Sequence, residues 1–330
     1  MRKTNLVVLA SALALAAVAA RAEDCKLVRS SSLDLAISRS GHIVVPVTIN
    51  DTPQNMLVEI NSSFGEVTQK LVDTLGLKAQ SLNHATSRNP ILAIGPIYLG
   101  NGEHAKSAAE IASLVLGMEH VTYTDFIVNP HLSEEDGRVA GTIGHDIWSH
   151  FDLDFDFASG KLNLFSPDHC PGKVVYWASS YTDADARLSN TGALTVPMSL
   201  DGHDVDATLD PGSPETFMTL SEAHAAFGID ATSPGVETIT TADGTPRYRM
   251  RFKTLSLSGI TVENPMVYLE PDAIGEQARE DQEAEKMNGY HGNAPISTPH
   301  LSVGLDVLSH LHLYIAYKEE KIYATAAGAH

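Results

Sequence analysis

The sequence of 330 residues repeats part of itself. Residues 144–151 (GHDIWSHF) return 160 positions later as residues 304–311 (GLDVLSHL), and four of the eight positions are identical. Each copy continues into alternating apolar residues, a turn and a second apolar run, a pattern typical of a β-hairpin. Because the two copies of this repeat are separated by about half of the chain length, we expect two halves of similar structure.

A second repeat lies near the start of each half. Residues 45–49 (VPVTI) resemble residues 196–200 (VPMSL), and each segment opens a predicted hairpin whose returning strand ends at an acidic residue. Continued without a gap, this register places Glu59 opposite Asp210. A rival register with two inserted residues would place Asn61 opposite Asp210 and leave a single acid. We prefer Glu59 because its register needs no gap.

The same register aligns the predicted turns that follow the two acids. Asn61 falls opposite Gly212, and Ser62 falls opposite Ser213. We expect Gly212 to supply a positive φ angle and to let the other half approach closely. Asn61 is compatible with such a turn, since Asn adopts left-handed conformations more readily than most other residues.

A strand that delivers a carboxylate into a tight turn, once in each half, predicts two acids that meet across a pseudo-twofold axis. Two carboxylates held close together share a proton at ordinary pH. One then acts as a base on a bound water while the other donates a proton to a carbonyl oxygen. The predicted catalytic residues are Asp210 and Glu59, and the predicted active-site turns contain Gly212, Ser213, Asn61 and Ser62.

Three features of the chain are shared with one known family. They are the strand that leads into Asp210-Pro211-Gly212-Ser213, the apolar-Gly elements at residues 142–144 and 302–304, and the closing hairpin that includes residues 154–162. Together they resemble the retropepsin-like and pepsin-like aspartic proteases, in particular bacterial exported forms with two fused lobes. The resemblance covers most of residues 40–330. It implies a mainly β fold of two homologous β-barrel-like lobes with short helices and a cleft that binds extended peptide.

Two positions depart from the Asp-Thr-Gly turn of that family. Pro211 replaces Thr in the second half and removes a backbone N–H. Glu59 replaces Asp in the first half. Its extra methylene displaces the carboxylate beyond the tolerance of a preorganised site, where a misplacement of ~1 Å can cost about a hundredfold in rate.

The resemblance therefore leaves alternative functions open. The first is an exported aspartic-type endopeptidase. The second is a catalytically impaired pseudoprotease that binds peptides or a protein partner in the cleft between the lobes. In a third, the Asp210 residues of two molecules would meet in a homodimer. We disfavour the homodimer because a two-lobed chain supplies its own partner, and we expect a monomer.

The first 22 residues are predicted to be a signal peptide. Arg2 and Lys3 precede an apolar run, and residues 20–22 form an A-x-A cleavage site. We therefore expect an exported protein, periplasmic or secreted, with an N-terminal lobe at residues 23–178 and a C-terminal lobe at residues 179–330. In an oxidising compartment the two cysteines, Cys25 and Cys170, are expected to form a disulfide, with two free thiols as the alternative.

Composition excludes several classes of partner. A formal charge of −19 argues against a nucleic acid or an anionic membrane surface. No run after the signal peptide is long enough to span a bilayer. The chain has 15 histidines but no established metal-binding motif, so we expect no metal and no cofactor.

Several other segments carry structural predictions. Residues 238–245 are the candidate for a hairpin that covers the cleft, with a turn at Asp243-Gly244. Residues 70–77 contain Asp-Thr near a Gly, but their helical periodicity predicts a helix instead of a site. Residues 270–286 are acidic, have no counterpart in the first half, and predict a solvated insertion. Asp146 and Asp306 are expected to brace short helices.

Overall fold

The structure is a computed structural model that describes residues 26–82, 97, 99, 103–132, 139–189, 192–241, 244–271 and 300–329. The predicted signal peptide, Cys25 and most of the predicted acidic insertion lie outside these residues. The described part of the chain is mainly β, as the sequence predicted. Nothing in the structure tests the division into lobes at residue 178, which stays a prediction.

The first half contributes eleven strands and two short helices. They are β1 (Arg29–Asp34), β2 (Ala36–Ile37), β3 (Ile43–Ile49), β4 (Thr52–Val58), β5 (Glu66–Thr68), α1 (Gln69–Leu75), β6 (Ala79–Ser81), β7 (Ser107–Leu116), β8 (Glu119–Asn129), β9 (Gly141–Ile143), α2 (His145–Trp148), β10 (Asp152–Asp156) and β11 (Lys161–Phe165).

Six strands, and not four, separate the two helices of the second half, which otherwise follows the same order of elements. Its elements are β12 (Thr182–Asp185), β13 (Arg187–Leu188), β14 (Leu194–Leu200), β15 (His203–Leu209), β16 (Phe217–Thr219), α3 (Leu220–Phe227), β17 (Val236–Thr240), β18 (Pro246–Arg251), β19 (Thr254–Leu257), β20 (Ile260–Glu263), β21 (Met266–Glu270), β22 (His300–Val303), α4 (Leu305–Leu308), β23 (Leu311–Ala316), a 3-10 turn (Tyr317–Glu319) and β24 (Lys321–Ala326).

Alternation of buried and more exposed residues explains the first hairpin of each half. In β3 and β14, every second side chain points into the core and the residues between them are less buried. The buried positions are Ile43, Val45, Val47 and Ile49 in β3, and Leu194, Val196, Met198 and Leu200 in β14. A strand with this period buries one face and leaves the other toward solvent.

The strands of the first half form a sheet that closes on itself. Its order is β2-β3-β4-β9-β5-β8-β7-β6, and β3 also pairs with β7. Strands β3, β4, β9, β5, β8 and β7 therefore make a closed ring. In the second half the order is β17-β18-β21-β16-β22-β15-β14-β19-β20. There, two shorter strand pairs, β18 with β21 and β19 with β20, take the place of the long β7–β8 pair.

A third sheet is built by both halves together. Its order is β1-β11-β10-β23-β24-β12, so each half supplies three neighbouring strands. The halves meet where β10 pairs antiparallel with β23, from Leu153 opposite Ile315 to Asp156 opposite His312. This six-stranded sheet is the backbone connection between the two lobes.

Capping residues mark both ends of the two longer helices. The side chain of Thr68 caps α1, and Gly76 ends it in the left-handed conformation with φ 61°. Thr219 forms a capping box with Glu222 at the start of α3, and Gly228 ends that helix with φ 67°. The Asp-Thr pair near Gly76 therefore lies on a helix, as predicted, and not in an active-site turn.

One face of the six-stranded sheet carries buried polar residues. Asp154 is fully buried and accepts hydrogen bonds from His312 at 2.6 Å, Asn163 at 2.9 Å and Tyr176 at 2.6 Å. The ring of Trp177 stacks on His312 with ring centroids 3.9 Å apart. Tyr176 and Trp177 belong to the segment between β11 and β12, so this network attaches that segment to strands of both halves.

A second buried carboxylate lies on the same face. Asp152 contacts His169 at 2.5 Å and accepts from the Tyr317 backbone N–H at 3.2 Å. His169 is also 3.3 Å from Glu319. The neighbouring Cys170 is disulfide-bonded. The sequence contains one other cysteine, Cys25, which lies outside the described residues.

Among the residues that the structure describes, no helix has the length and apolar character needed to cross a bilayer.

The network predicts a large effect for one substitution. Asp154→Ala would leave His312, Asn163 and Tyr176 without their shared acceptor, and each buried polar group left without its partner costs about 1–3 kcal/mol, so the three together should cost at least about 3 kcal/mol. We expect urea denaturation to show a loss of this size. Asp34→Ala, which removes the exposed ion pair with Lys161, should change the free energy of unfolding by less than about 1 kcal/mol. Equal effects of the two variants would contradict this account.

Candidate active site

Glu59 and Asp210 occupy matching positions in the two halves. Glu59 follows β4, and its backbone N–H donates to the Ile143 carbonyl oxygen at 3.0 Å. Asp210 follows β15, and its N–H donates to the Val303 carbonyl oxygen at 2.9 Å. Each acid thus leaves its strand at the end of a parallel pair, β4 with β9 or β15 with β22. These hydrogen bonds place Glu59, and not Asn61, at the position that corresponds to Asp210.

The two turns after the acids are closed in the same way. The N–H of Ser62 donates to the Glu59 carbonyl oxygen at 3.4 Å, and the N–H of Ser213 donates to the Asp210 carbonyl oxygen at 3.0 Å. Each serine hydroxyl donates to the carbonyl oxygen two residues further on, at 3.0 and 2.9 Å. Ser62 and Ser213 therefore shape the turns through their own side chains.

Short helices hold the turns from behind. The N–H of His145, at the start of α2, donates to the Ser62 carbonyl oxygen at 2.7 Å. The N–H of Leu305, at the start of α4, donates to the Ser213 carbonyl oxygen at 2.9 Å. Any Cβ atom at Gly304, just before α4, would lie 2.4 Å from a backbone oxygen of the turn segment. Only glycine allows this approach of helix and turn.

Asp146 and Asp306 were expected to brace the short helices in which they lie, but their side chains bind the segments that leave the turns. Asp146 accepts from the Gly65 N–H at 3.1 Å, and Asp306 accepts from the Thr216 hydroxyl at 2.6 Å. Burial raises the pKa of Asp146 to about 6 and also raises the pKa of Asp306.

Asn61 reaches from the first half into the second. Its amide nitrogen donates to the Leu209 carbonyl oxygen at 3.0 Å, and its amide oxygen accepts from the Leu194 N–H at 3.4 Å. The side chain also hydrogen-bonds the Asp210 carboxyl group. Asn61 thus fastens the first turn to the strand that carries the second acid.

The expectation of positive φ angles in these turns is wrong. Neither Gly212 nor Asn61 has a positive φ angle. Gly212 is needed for space instead, because a Cβ atom there would lie 2.2 Å from the Glu59 Oε2 atom. The longer side chain of Glu59 therefore crosses to the second turn and rests on the Gly212 backbone.

Burial and neighbouring charges give Glu59 a high proton affinity. Burial, the charge of Asp210 and the charge of Glu66 together raise the pKa of Glu59 from 4.5 to about 8, with burial the largest cause. All three causes act in the same direction. At neutral pH, Glu59 accordingly holds its proton.

Asp210 is partly buried too, and burial, the largest cause, leaves its pKa raised. Hydrogen bonds from the Asn61 side chain and from the Gly212 and Ser213 backbone, together with the charge of His42, act to lower that pKa. The two acids of the pair are therefore unequal. Asp210 is the one whose ionised form the surrounding residues support.

Two polar residues near the pair were missed at the sequence level. Glu66 lies on β5, accepts from Asn129 at 2.7 Å, and has a pKa raised by burial. Half-buried His42 lies 2.6 Å, through its Nδ1 atom, from the Gly212 carbonyl oxygen. The 151-residue offset places them opposite Phe217 and Ala193. The sequence signal that could have identified both residues is a polar residue aligned with an apolar one in the other half.

The hairpin predicted at residues 238–245 is present as β17 and β18. Thr240 pairs with Pro246, and Asp243 lies outside the described residues. Arg247 on β18 contacts Glu215, which follows the Asp210 turn, at 2.8 Å and contacts Glu270 at 2.6 Å. The hairpin is therefore tied to the segment that leaves the second turn. That it covers a cleft stays a prediction.

Within the described ranges, no three His, Cys, Asp or Glu side chains are grouped so that they could hold a metal ion.

Comparison with known proteins supports the resemblance drawn from the sequence. Residues 196–284, which include Asp210, Gly212 and Ser213, match the family model described as "Aspartyl protease". A comparison with curated proteins found no match. Among solved structures, the chain is similar to edgp, with 10% identity over 91% of this chain and 95% of that one and a TM-score of 0.48. It is also similar to basic 7S globulin from soybean, with 10% identity over 92% and 99% of the two chains and a TM-score of 0.49.

The contact between Glu59 and Gly212 can be tested with a double-mutant cycle. Gly212→Ala introduces a methyl group into the space of the Glu59 carboxylate and should destabilise the protein by roughly 1–3 kcal/mol. In a Glu59→Ala background the same substitution should cost less. Chemical denaturation of the four proteins gives the coupling energy. Additive effects would show that the two residues do not compete for space.

The high pKa of Glu59 predicts a pH-dependent penalty on stability. Between pH 4.5 and about 8 the folded protein retains a proton that the unfolded chain has lost, so stability falls as pH rises through this window. Glu59→Gln removes that titration. We expect this variant to match the parent protein near pH 4 and to exceed it at pH 7 by up to about 3 kcal/mol. The exposed Glu263→Gln is the control, and a difference that does not vary with pH would contradict the prediction.

Proposed function

We propose that this protein is an aspartic-type endopeptidase that hydrolyses peptide bonds with a mixed Glu59/Asp210 pair. One observation carries the proposal: two carboxyl groups, delivered by matching turns of the two halves, have surroundings that favour different protonation states, since hydrogen bonds favour ionised Asp210 while every cause that acts on Glu59 favours its neutral form. Such a difference is how one site presents an acid and a base at the same pH. The match of residues 196–284 to the aspartyl protease model supports the reaction class.

The roles of the two acids follow from their surroundings. Ionised Asp210 accepts a proton from a water molecule, whose oxygen attacks the carbonyl carbon of the peptide bond. Protonated Glu59 donates its proton to the carbonyl oxygen, which gives a tetrahedral diol. Collapse of the diol transfers a proton to the amide nitrogen, breaks the C–N bond and releases a carboxyl and an amine product. The pair then returns to its starting protonation.

Binding of substrate is proposed on the same basis. An extended peptide would lie between the two lobes, across the turns that carry Glu59 and Asp210. The β17–β18 hairpin, tied by Arg247 to the second turn, is the proposed cover. We also propose that the mature protein, residues 23–330, is an exported monomer. The predicted signal peptide and the disulfide at Cys170 support export.

A second candidate is a pseudoprotease that binds peptides or a protein partner without cleaving them. The positions of Asn61 and Pro211 favour it. Asn61 occupies the place of a turn glycine and already uses its amide to bind Leu209 and Asp210. Peptide would then bind to a site whose polar groups are partly hydrogen-bonded to each other.

Peptide cleavage distinguishes the two candidates. The mature chain, incubated with a mixed peptide pool, should be active between an acid limit set by protonation of Asp210 and an alkaline limit near pH 8 set by ionisation of Glu59. Asp210→Asn and Glu59→Gln should each lower the rate by about 10²–10⁴-fold. Asp204→Asn, on the exposed face of the same strand, should not. A folded protein that yields no products at any pH but binds peptide would establish the second candidate.

A further inference from the structure

The turn before β3 has a counterpart in the second half that serves as an internal control. Ser38 N–H donates to the His42 carbonyl oxygen at 2.8 Å, and His42 N–H donates to the Ser38 hydroxyl at 3.1 Å. In the second half, Ser189 and Ala193 make the same two hydrogen bonds at 2.9 and 3.0 Å. Because the turn forms equally well around Ala193, its backbone does not require a histidine at residue 42.

The His42 ring instead reaches into the other half. Its Nδ1 atom lies 2.6 Å from the Gly212 carbonyl oxygen. A carbonyl oxygen only accepts hydrogen bonds, so Nδ1 carries the hydrogen and donates it. The two segments are also closely packed beside this contact, since a Cβ atom at the neighbouring Gly41 would lie 2.6 Å from Pro214. The ring is therefore held against the turn that carries Asp210.

The contacted carbonyl belongs to a peptide unit that serves Asp210 directly. The Gly212 C=O and the Ser213 N–H are parts of one planar trans peptide and point in opposite directions. While His42 binds the carbonyl end, the N–H end donates to the Asp210 backbone carbonyl oxygen at 3.0 Å and also acts to lower the pKa of the Asp210 carboxyl group. Holding one end of a rigid plane fixes the direction of the other, and hydrogen bonds linked in this way polarise one another.

We propose that His42 is a positioning residue for the Glu59/Asp210 pair: it holds the Gly212–Ser213 peptide in the orientation that binds the Asp210 carboxylate. This inference rests on the proposed function for its consequence in catalysis. It accounts for the absence of a histidine from the matching turn, because the corresponding peptide beside Glu59 serves an acid that holds its proton. The residue acts through Gly212, in addition to the effect of its charge on Asp210, and does not touch the reacting atoms.

Substitution of His42 tests the role in catalysis. His42→Ala should lower kcat by roughly 10- to 100-fold, as expected when a catalytic group is misplaced by about 1 Å, with KM changed less than about threefold. The acid limb of the kcat/KM profile, which reports Asp210 in the free enzyme, should move to higher pH. His42→Asn places an amide N–H close to the position of Nδ1 and should recover most of kcat. His120→Ala, at an exposed site, is the matched control.

A purely structural role gives a different result. If His42→Ala lowers the melting temperature or the rate but leaves the acid limb in place, and His42→Asn does not recover the rate, the inference is wrong. The presence of Ala193 in the matching turn indicates that an alanine is compatible with the fold. His42→Leu, which fills more of the ring's volume but cannot donate, is a second variant that should behave like His42→Ala.

A readout without turnover separates this inference from the proposed function. The ¹³C signal of the Asp210 carboxyl carbon, assigned with Asp210→Asn, reports its protonation directly. In His42→Ala its midpoint should move to higher pH, and in His42→Asn it should stay near that of the parent protein. If the parent protein cleaves no peptide but this shift occurs, the protease proposal fails and the role of His42 stands. An unchanged midpoint in His42→Ala overturns the role of His42.

Discussion

A carboxylate that loses its water must be given hydrogen bonds in return or keep its proton, and the site described above depends on this choice. Asp210 is given hydrogen bonds, by Asn61 and by the backbone of its own turn. Glu59 keeps its proton, because burial and the nearby charges of Asp210 and Glu66 all favour its neutral form. Two chemically similar groups thereby acquire different surroundings within one site.

This difference is produced by residues that cross between the halves. Glu59 extends onto Gly212, Asn61 binds the strand that ends at Asp210, and His42 binds the opposite turn. None of these contacts lies within one half of the chain. The backbone of each turn is formed locally and in the same way, whereas the protonation of the pair is set only when the two halves are assembled.

Periodicity and the repeat were enough to predict a mainly β fold, the helix at residues 70–77 and the alignment of Glu59 with Asp210. These depend on local spacing, which a sequence shows directly. Side-chain direction across an interface is not local, so the contacts of His42 and Glu66 were missed. The same reason explains the wrong expectation for Gly212: glycine was read as a backbone requirement, although the constraint is the space that the Glu59 carboxylate occupies.

The six-stranded sheet has a consequence for each half considered by itself. Where the halves meet, one edge of strand β10 is hydrogen-bonded to one edge of strand β23. A half released by proteolysis, or still waiting for its partner during synthesis, would display one of them as a bare edge with free N–H and C=O groups. Such an edge recruits any strand that can pair with it, including the same strand of another molecule. Self-association is thus a hazard of the incomplete chain that the complete one removes by pairing with itself.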